Sequence, residues 1–346
     1  MTASLRPVGG SPHELVALLE PWVTNGGDPV VVRTSGSTGE PKDVVLSHRA
    51  VVASARATEE RLGGPGRWLL ALPTSGVAGL QVLVRSLLAG TDPVVLSDHP
   101  DLEDALAELT AHPGRTYASL VPTQLHRLDR EGRLGLLAGL DALLVGGAGV
   151  DPALVERARE AGVPVVRTYG MSETCGGCVY DGRPLDGVRL RTTPSGEIEV
   201  AGPVLFDGYG DTSFAGEWFA TRDLGSIDDD GVLTVLGRVD DVVISGGVNV
   251  ALPRVEELLR RVPGIAEAAA SGVPDDEWGH RVVAVVVPDR SGSVDLAVLR
   301  DALERLGLDR RWAPRGLVVV EELPLLPGGK VDRRALRDAA AGATRP

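Results

Sequence analysis

Apolar residues along the chain fall into short runs separated by Gly- and Pro-rich stretches, and the period of each run predicts an element. Residues 12–22 read as a helix, whereas 29–33, Pro-Val-Val-Val-Arg, form a continuous apolar run that predicts a short buried strand. That strand feeds the Gly/Ser/Thr stretch 34–42, an arrangement that suggests a phosphate cradle. Strand-like and helix-like segments then alternate: 68–72, 80–88, 93–96, a helix from Leu102, 117–121, 142–145, a helix from Pro152, and 165–168. This alternation predicts an α/β domain with a mixed, mainly parallel sheet covered by helices. Such sheets bind ligands outside the carboxyl ends of their strands.

From about Gly187 the texture changes to short strands and turns, which predicts a small antiparallel β subdomain. After Gly237-Arg238-Val239-Asp240-Asp241 the pattern is strand, helix (253–262), strand (282–287), helix (296–306) and strand (317–320), a compact α+β domain. The expected organisation is therefore an N-terminal domain 1–238, a hinge 239–241 and a smaller C-terminal domain 242–346. The Ala-rich C-terminus is expected to fray. No internal repeat interrupts the plan.

Composition narrows the function classes. At 346 residues, 43% apolar and 24% charged, the chain reads as an ordinary globular protein of two domains. A net charge of -13 argues against nucleic acid or an anionic membrane as partner, since both require an extended basic surface. No apolar stretch approaches the roughly 20 residues that cross a bilayer, and the first residues carry no secretory leader pattern. A cytoplasmic protein is expected, with homo-oligomerisation left open. The two cysteines, Cys175 and Cys178, lie in a Cys-Gly-Gly-Cys string. No thioredoxin-like pattern surrounds it and no second pair completes a zinc site, so neither redox nor metal duty is assigned.

Of 35 basic residues only Lys42 and Lys330 are lysine. Both stand in Gly/Pro-rich stretches, where a compact ammonium on a slim stem suits a single phosphate or carboxylate oxygen. Thr34-Ser35-Gly36-Ser37-Thr38-Gly39-Glu40-Pro41-Lys42 offers small residues, hydroxyl donors and a terminal lysine, all suited to an anion. It is not a Walker A loop, because Pro41 precedes the lysine and Asp43 follows it.

The nine-residue string resembles the phosphate loop of the acyl-adenylate-forming superfamily of acyl-CoA synthetases, adenylation domains and luciferases. Further blocks follow in that family's order. They are Val145-Gly146-Gly147-Ala148, Tyr169-Gly170-Met171-Ser172-Glu173, Thr221-Arg222-Asp223-Leu224-Gly225, Gly237 to Asp241, Ser245-Gly246-Gly247 and Leu326-Pro327-Gly328-Gly329-Lys330. The resemblance implies ATP, Mg²⁺ and CoA as cofactors and a small-molecule carboxylic acid as substrate. In it Thr34 to Gly39, with Lys42, hold phosphates; Gly147, Ala148, Tyr169, Gly170, Met171 and Ser172 hold the adenylate; and Tyr169 stacks on adenine. Asp223 accepts from the ribose hydroxyls with Arg238 beside it, and Glu173 coordinates Mg²⁺, with Thr38 as a further ligand. Lys330 catalyses adenylation from a mobile C-terminal domain that turns about Asp240, while Gly246 and Gly247 line the CoA path.

Only 33 residues precede the phosphate loop, and with Leu120-Val-Pro-Thr-Gln-Leu125 and 80–90 this brevity most resembles the compact actinobacterial o-succinylbenzoate-CoA ligases of menaquinone synthesis. That resemblance implies an acyl site at Ser75, Gly76, Arg85, Thr123 and Gly146, with Arg85 meeting the substrate's second carboxylate. A ligase for another aryl or small acid, or an enzyme loading a carrier protein, is the alternative. Two departures stand out. The family's histidine near Ser75 or Gly76 is missing, and Asp43 replaces the glycine that commonly follows the loop lysine, setting a negative charge beside a polyphosphate site.

Overall fold

The computed structural model describes residues 3–34, 41–111, 113–289, 294–326 and 331–342. The chain forms two compact units. The first comprises Met1–Arg191, Glu199–Phe219 and Asp228–Leu233, and the second Thr192–Ile198, Ala220–Ile227 and Thr234–Pro346. This division differs from a single cut at residue 238. The strand segments 192–198 and 220–227 cluster with the chain that follows Thr234.

Helix α1 (Pro12–Asn25) opens the first unit. Ser11 caps it through a reciprocal box, its hydroxyl taking the Glu14 amide while the Glu14 carboxylate takes the Ser11 amide. Next come β1 (Val30–Thr34), β2 (Lys42–Leu46) and α2 (His48–Arg61). The alternating part of the chain follows: β3 (Gly66–Leu70), α3 (Val77–Leu88), β4 (Val94–Val95), α4 (Leu102–Thr110), β5 (Arg115–Leu120) and α5 (Pro122–Arg130). It continues through β6 (Ala142–Gly146), α6 (Pro152–Glu160), β7 (Val165–Met171), β8 (Gly176–Tyr180) and β9 (Arg183–Pro184).

These strands make a seven-stranded sheet of order β9-β8-β7-β6-β5-β3-β4. The pairs β4/β3, β3/β5, β5/β6 and β6/β7 are parallel; β8 returns antiparallel to β7 and pairs antiparallel with β9. Strand period sorts the side chains between two layers. Leu69, Ala118, Leu120, Leu143 and Val145 face a core built with α4, α5 and α6. On the other side Trp68 and Tyr117 are fully buried near α2 and α3, and the Tyr117 hydroxyl donates to the Leu62 and Gly64 carbonyls. Gln81 of α3 ties the layer together by donating to the Val51 and Cys175 carbonyls.

The phosphate-loop string does not end a strand of this sheet. It joins β1 to β2 as an antiparallel hairpin in a separate four-stranded sheet, completed by β10 (Gly208–Tyr209) and β11 (Thr212–Ser213) in the order β11-β10-β2-β1. The return strand is marked by buried Val44 and Leu46, two residues apart as a strand face requires.

The second unit is built on β12 (Val242–Ser245), β13 (Val248–Ala251), α7 (Leu252–Leu259), β14 (Ile265–Asp275), β15 (Gly279–Pro288), α8 (Leu296–Arg305) and β16 (Gly316–Val319). Its sheet runs β13-β12-β15-β14, with β16 parallel to β15. The alternation of β15 divides two cores: Val282, Ala284 and Val286 meet α7 and α8, while Val283, Val285 and Val287 form the second. That second core contains Leu336 and Ala340 of α9 (Arg333–Ala341), so the Ala-rich segment up to Ala341, expected to fray, is a docked helix; residues 343–346 lie outside the described residues. Asp332 caps α9, and Arg333 ion-pairs with buried Glu256.

Cys175 and Cys178 flank the entry to β8. Cys175 takes a left-handed conformation (φ 52°) that reverses the chain after β7, and the β7/β8 register slips between Gly177 and Val179, leaving Cys178 as the bulge. Both thiols are fully buried. Burial is the leading cause that raises each thiol above its ordinary range, Cys178 to about 12.

Two outcomes follow. Leu336→Ala should lower the urea-unfolding stability of the second unit by about 2–4 kcal/mol, where a frayed tail would cost next to nothing. Because the thiolates form only above their raised pKa values, neither cysteine should react with a disulfide reagent as pH rises through 8. Denaturation should expose both.

Candidate functional site

Parallel pairing brings the carboxyl ends of β3, β5, β6 and β7 to one edge of the sheet. The segments predicted to bind ligands follow those ends. Ser75 and Gly76 precede α3, with Gly76 as its N-cap; Thr123 lies in the first turn of α5; and Gly146 ends β6, with Gly147 and Ala148 exposed beyond it. Tyr169, Gly170 and Met171 end β7, and Ser172 and Glu173 form the single 3₁₀ turn that follows. A β-carbon on Gly170 would lie 2.0 Å from the Gly176 carbonyl oxygen. Glycine there is required by the close approach of β7 and β8.

Gln124 adds a contact that the sequence did not single out. Its Oε1 accepts from the Val121 amide at 3.0 Å and its Nε2 donates to the Ala71 carbonyl at 2.9 Å, tying the start of α5 to the chain leaving β3.

Glu173 is gripped twice by the chain around β10. The Phe206 amide donates to its carbonyl at 2.9 Å, and the Tyr209 hydroxyl donates to its Oε1 at 2.7 Å. Burial, then the contact with Glu173, raises the Tyr209 phenol above its ordinary value, so the hydroxyl keeps its proton as donor. The Lys42 ammonium lies 5.3 Å from the centroid of the same ring, within cation–π range. Tyr209 was missed because one tyrosine in a glycine-flanked turn carries no chemical pattern; its position opposite Val44 of β2 becomes visible only in the fold.

The hairpin explains Asp43. Lys42 is the first residue of β2, opposite Thr34, and Asp43 stands opposite Arg33. The Arg33 guanidinium donates from Nε to Oδ1 at 2.7 Å and from Nη2 to Oδ2 at 3.0 Å. This two-pronged contact holds the Asp43 carboxyl below its ordinary pKa and supplies the positive charge that offsets it. Arg33, Pro41, Lys42, Asp43, Tyr209 and Gly210 line an open groove of about 490 Å³.

Arg85 does not join the strand-end group. It stands nine residues beyond Gly76 on α3, about 13 Å along the axis. There it is 3% exposed, with its guanidinium 5.0 Å from the Trp68 ring centroid. Burial raises the Glu59 carboxyl, and the nearby charge of Arg85 opposes that rise. Arg85 Nε, Trp68 Nε1 and Glu59 Oε1 are all buried without a hydrogen-bond partner among the described residues. A layer of this kind has unused capacity for a buried polar group.

In the second unit Asp223 is buried at 6% exposure and lies 3.7 Å from the Arg238 guanidinium. The Thr221 hydroxyl receives the Asp223 amide and donates to the Ile198 carbonyl, fixing the strand beneath the carboxylate. Gly246 and Gly247 form the β12/β13 turn with φ values of 59° and 77°. A β-carbon on Gly246 would meet the Trp278 ring at 2.6 Å. Ser35, Gly36, Ser37, Thr38, Gly39 and Lys330 lie outside the described residues, as does the side chain of Asp240.

Glu173 suits Mg²⁺ by its chemistry, since a carboxylate is a hard oxygen donor. Among the described residues no group of three or more His, Cys, Asp or Glu side chains gathers to hold a metal ion. Mg²⁺ is commonly bound by one or two carboxylates together with substrate phosphates, and a lone Glu173 fits that mode. Among the described residues no helix is long and apolar enough to cross a membrane.

The AMP-binding enzyme family matches residues 23–209, and the AMP-binding enzyme C-terminal domain matches residues 254–330. A protein of Mycobacterium tuberculosis named Probable 2-succinylbenzoate–CoA ligase is 47% identical over 327 residues, covering 90% of this chain and 85% of the relative. Among solved structures, o-succinylbenzoate CoA synthetase (MenE) from Bacillus subtilis in complex with the acyl-adenylate intermediate OSB-AMP aligns with a TM-score of 0.77 and 32% identity, covering 89% of this chain and 69% of that one. ATP-bound MatB from Rhodopseudomonas palustris aligns with a TM-score of 0.78 and 29% identity, covering 90% and 68%. With both family domains matched in sequence order and nine tenths of its length aligned to a relative 47% identical, the chain belongs to the AMP-binding enzyme family.

Proposed function

We propose that this chain is a cytoplasmic acid–thiol ligase that activates o-succinylbenzoate with ATP and transfers the acyl group to CoA, as in menaquinone synthesis. The observation that carries the choice of acid is the 47% identity to the mycobacterial 2-succinylbenzoate–CoA ligase over nine tenths of the chain. Overall shape does not discriminate, since MatB superposes as well as the o-succinylbenzoate enzyme.

The reaction has two steps. A substrate carboxylate oxygen attacks the α-phosphorus of ATP, forming an acyl–phosphate bond and expelling pyrophosphate. The CoA thiol then gives up its proton and attacks the acyl carbon, and AMP departs.

In this reading Thr34 to Gly39, together with Lys42, receive the phosphates, and Arg33 keeps the Asp43 charge from opposing them. Tyr169 stacks on adenine beside Gly147 and Ala148, with Gly170, Met171 and Ser172 continuing the adenylate wall. Asp223 accepts from the ribose hydroxyls; its burial beside Arg238 supports a fixed carboxylate there. Glu173 would hold Mg²⁺, with Thr38 as a further ligand, and the ion would supply charge neutralisation at the reacting phosphoryl group. Lys330, from the C-terminal domain, offsets the negative charge of both reactants in the first step. Rotation about Asp240, within the hinge 239–241 between domains 1–238 and 242–346, withdraws Lys330 for the second step, in which Gly246 and Gly247 line the CoA path.

The acyl group lies among Ser75, Gly76, Thr123 and Gly146, and its second carboxylate is met by Arg85 directly or through water. The unsatisfied Arg85 Nε and Trp68 Nε1 support this, because a buried guanidinium gains most from an anion.

Supplied with ATP and Mg²⁺, the protein should release AMP with o-succinylbenzoate and free CoA faster than with benzoate, malonate or succinate. Exchange of pyrophosphate into ATP without use of free CoA would indicate a carrier-loading enzyme instead. Arg85→Lys should raise KM for o-succinylbenzoate at least tenfold while KM for ATP changes less than about twofold. An equal change in both, with an equal loss of thermal stability in Glu59→Gln, would assign Arg85 to an internal ion pair.

A further inference from the structure

Tyr209 touches both Glu173 and Lys42. Its hydroxyl meets the carboxylate that follows β7 of the seven-stranded sheet, and its ring lies under an ammonium on β2 of the smaller sheet. We infer that Tyr209 is a positioning residue for Mg·ATP: it aims the Glu173 carboxylate at the cation and holds the Lys42 ammonium toward the phosphates. The inference rests on the proposed roles of Glu173 and Lys42.

The geometry is built to be stiff. Tyr209 pairs with Val44 in the β10/β2 ladder, and the Asp207 and Gly210 amides donate to the Val45 and Asp43 carbonyls at 2.8 Å each. The tyrosine is therefore fastened to the strand that begins with Lys42. From the other side the Phe206 amide holds the Glu173 carbonyl, and the Phe206 ring packs edge-on to Tyr209 with centroids 4.9 Å apart. Backbone and side chain of Glu173 are thus held by residues 206 and 209 together.

A glutamate swings through three side-chain torsions, and a metal ligand free to do so loses affinity through the entropy of ordering it. One short hydrogen bond to Oε1 removes much of that freedom and leaves Oε2 for the cation. Outer partners of metal ligands commonly carry 10–100-fold in metal affinity. The ring acts separately: its π face attracts the Lys42 ammonium without neutralising it, so the cation stays available to phosphate.

The test is equilibrium binding of ATP, followed by calorimetry or by displacement of a fluorescent ATP analogue, as a function of Mg²⁺ concentration. Tyr209→Phe keeps the ring and its contacts with Phe206, so its melting temperature should match the unaltered protein. The Mg²⁺ concentration for half-maximal ATP binding should rise about tenfold, while ATP affinity without Mg²⁺ stays unchanged. Tyr209→Leu should show the same Mg²⁺ shift and, in addition, about threefold weaker binding of ATP without Mg²⁺, as the ring is lost. An unchanged Mg²⁺ dependence in Tyr209→Phe overturns the brace, and identical behaviour of the two variants overturns the part given to the ring. Glu173→Gln separates the inference from the reading beneath it. If this variant binds ATP with the original Mg²⁺ dependence, Glu173 is not the Mg²⁺ ligand and the whole assignment falls. If it loses that dependence while Tyr209→Phe keeps it, only the role of Tyr209 is refuted.

Discussion

Parallel strand pairing is the constraint from which the site descends. Strands that run the same way must be joined by crossovers, and their carboxyl ends must open at one edge. Four segments with no sequence similarity to one another, after β3, β5, β6 and β7, reach that edge for this reason alone. The antiparallel return of β8 ends the pattern: the chain reverses at Cys175, and the turn that makes the reversal carries Glu173. The carboxylate sits where it does because the sheet changes direction there.

Much of this was legible in the residues. The β/α alternation from Trp68 to Thr168 predicts the central sheet, because stretches such as residues 68–70 and 142–145 are buried and read as apolar runs. The spaced motifs gave the family. What escaped was set by pairing instead of pattern. Strand β14, Ile265–Asp275, is rich in alanine and owes its extended form to a ladder along the length of β15. Two helices also go beyond the pattern: α2 answers to no predicted element, and α9 lies in a stretch expected to fray, where Leu336 is held inside a core. The role of Asp43 was opaque as long as 34–42 was read as a loop; once 42–46 is a strand, Arg33 stands opposite and the charge is answered.

The same pairing logic explains how a protein with a net charge of -13 can attract a polyphosphate. Attraction is local and geometric. Arg33 is committed to Asp43, which leaves the Lys42 ammonium as the cation of that groove, lifted on an aromatic face that does not neutralise it. Arginine elsewhere engages carboxylates in planar, forked contacts, as Arg157 does with Asp129 and Arg311 with Asp309. Those arginines are committed to internal pairs, whereas the Lys42 ammonium rests on an aromatic face.

Sealing both cysteines inside the return of β8 has a chemical corollary. An acyl-adenylate is a reactive mixed anhydride that acylates a thiolate placed near it. With Cys175 and Cys178 buried and protonated, this chain offers no thiol of its own to compete with the acceptor between the two steps of its cycle.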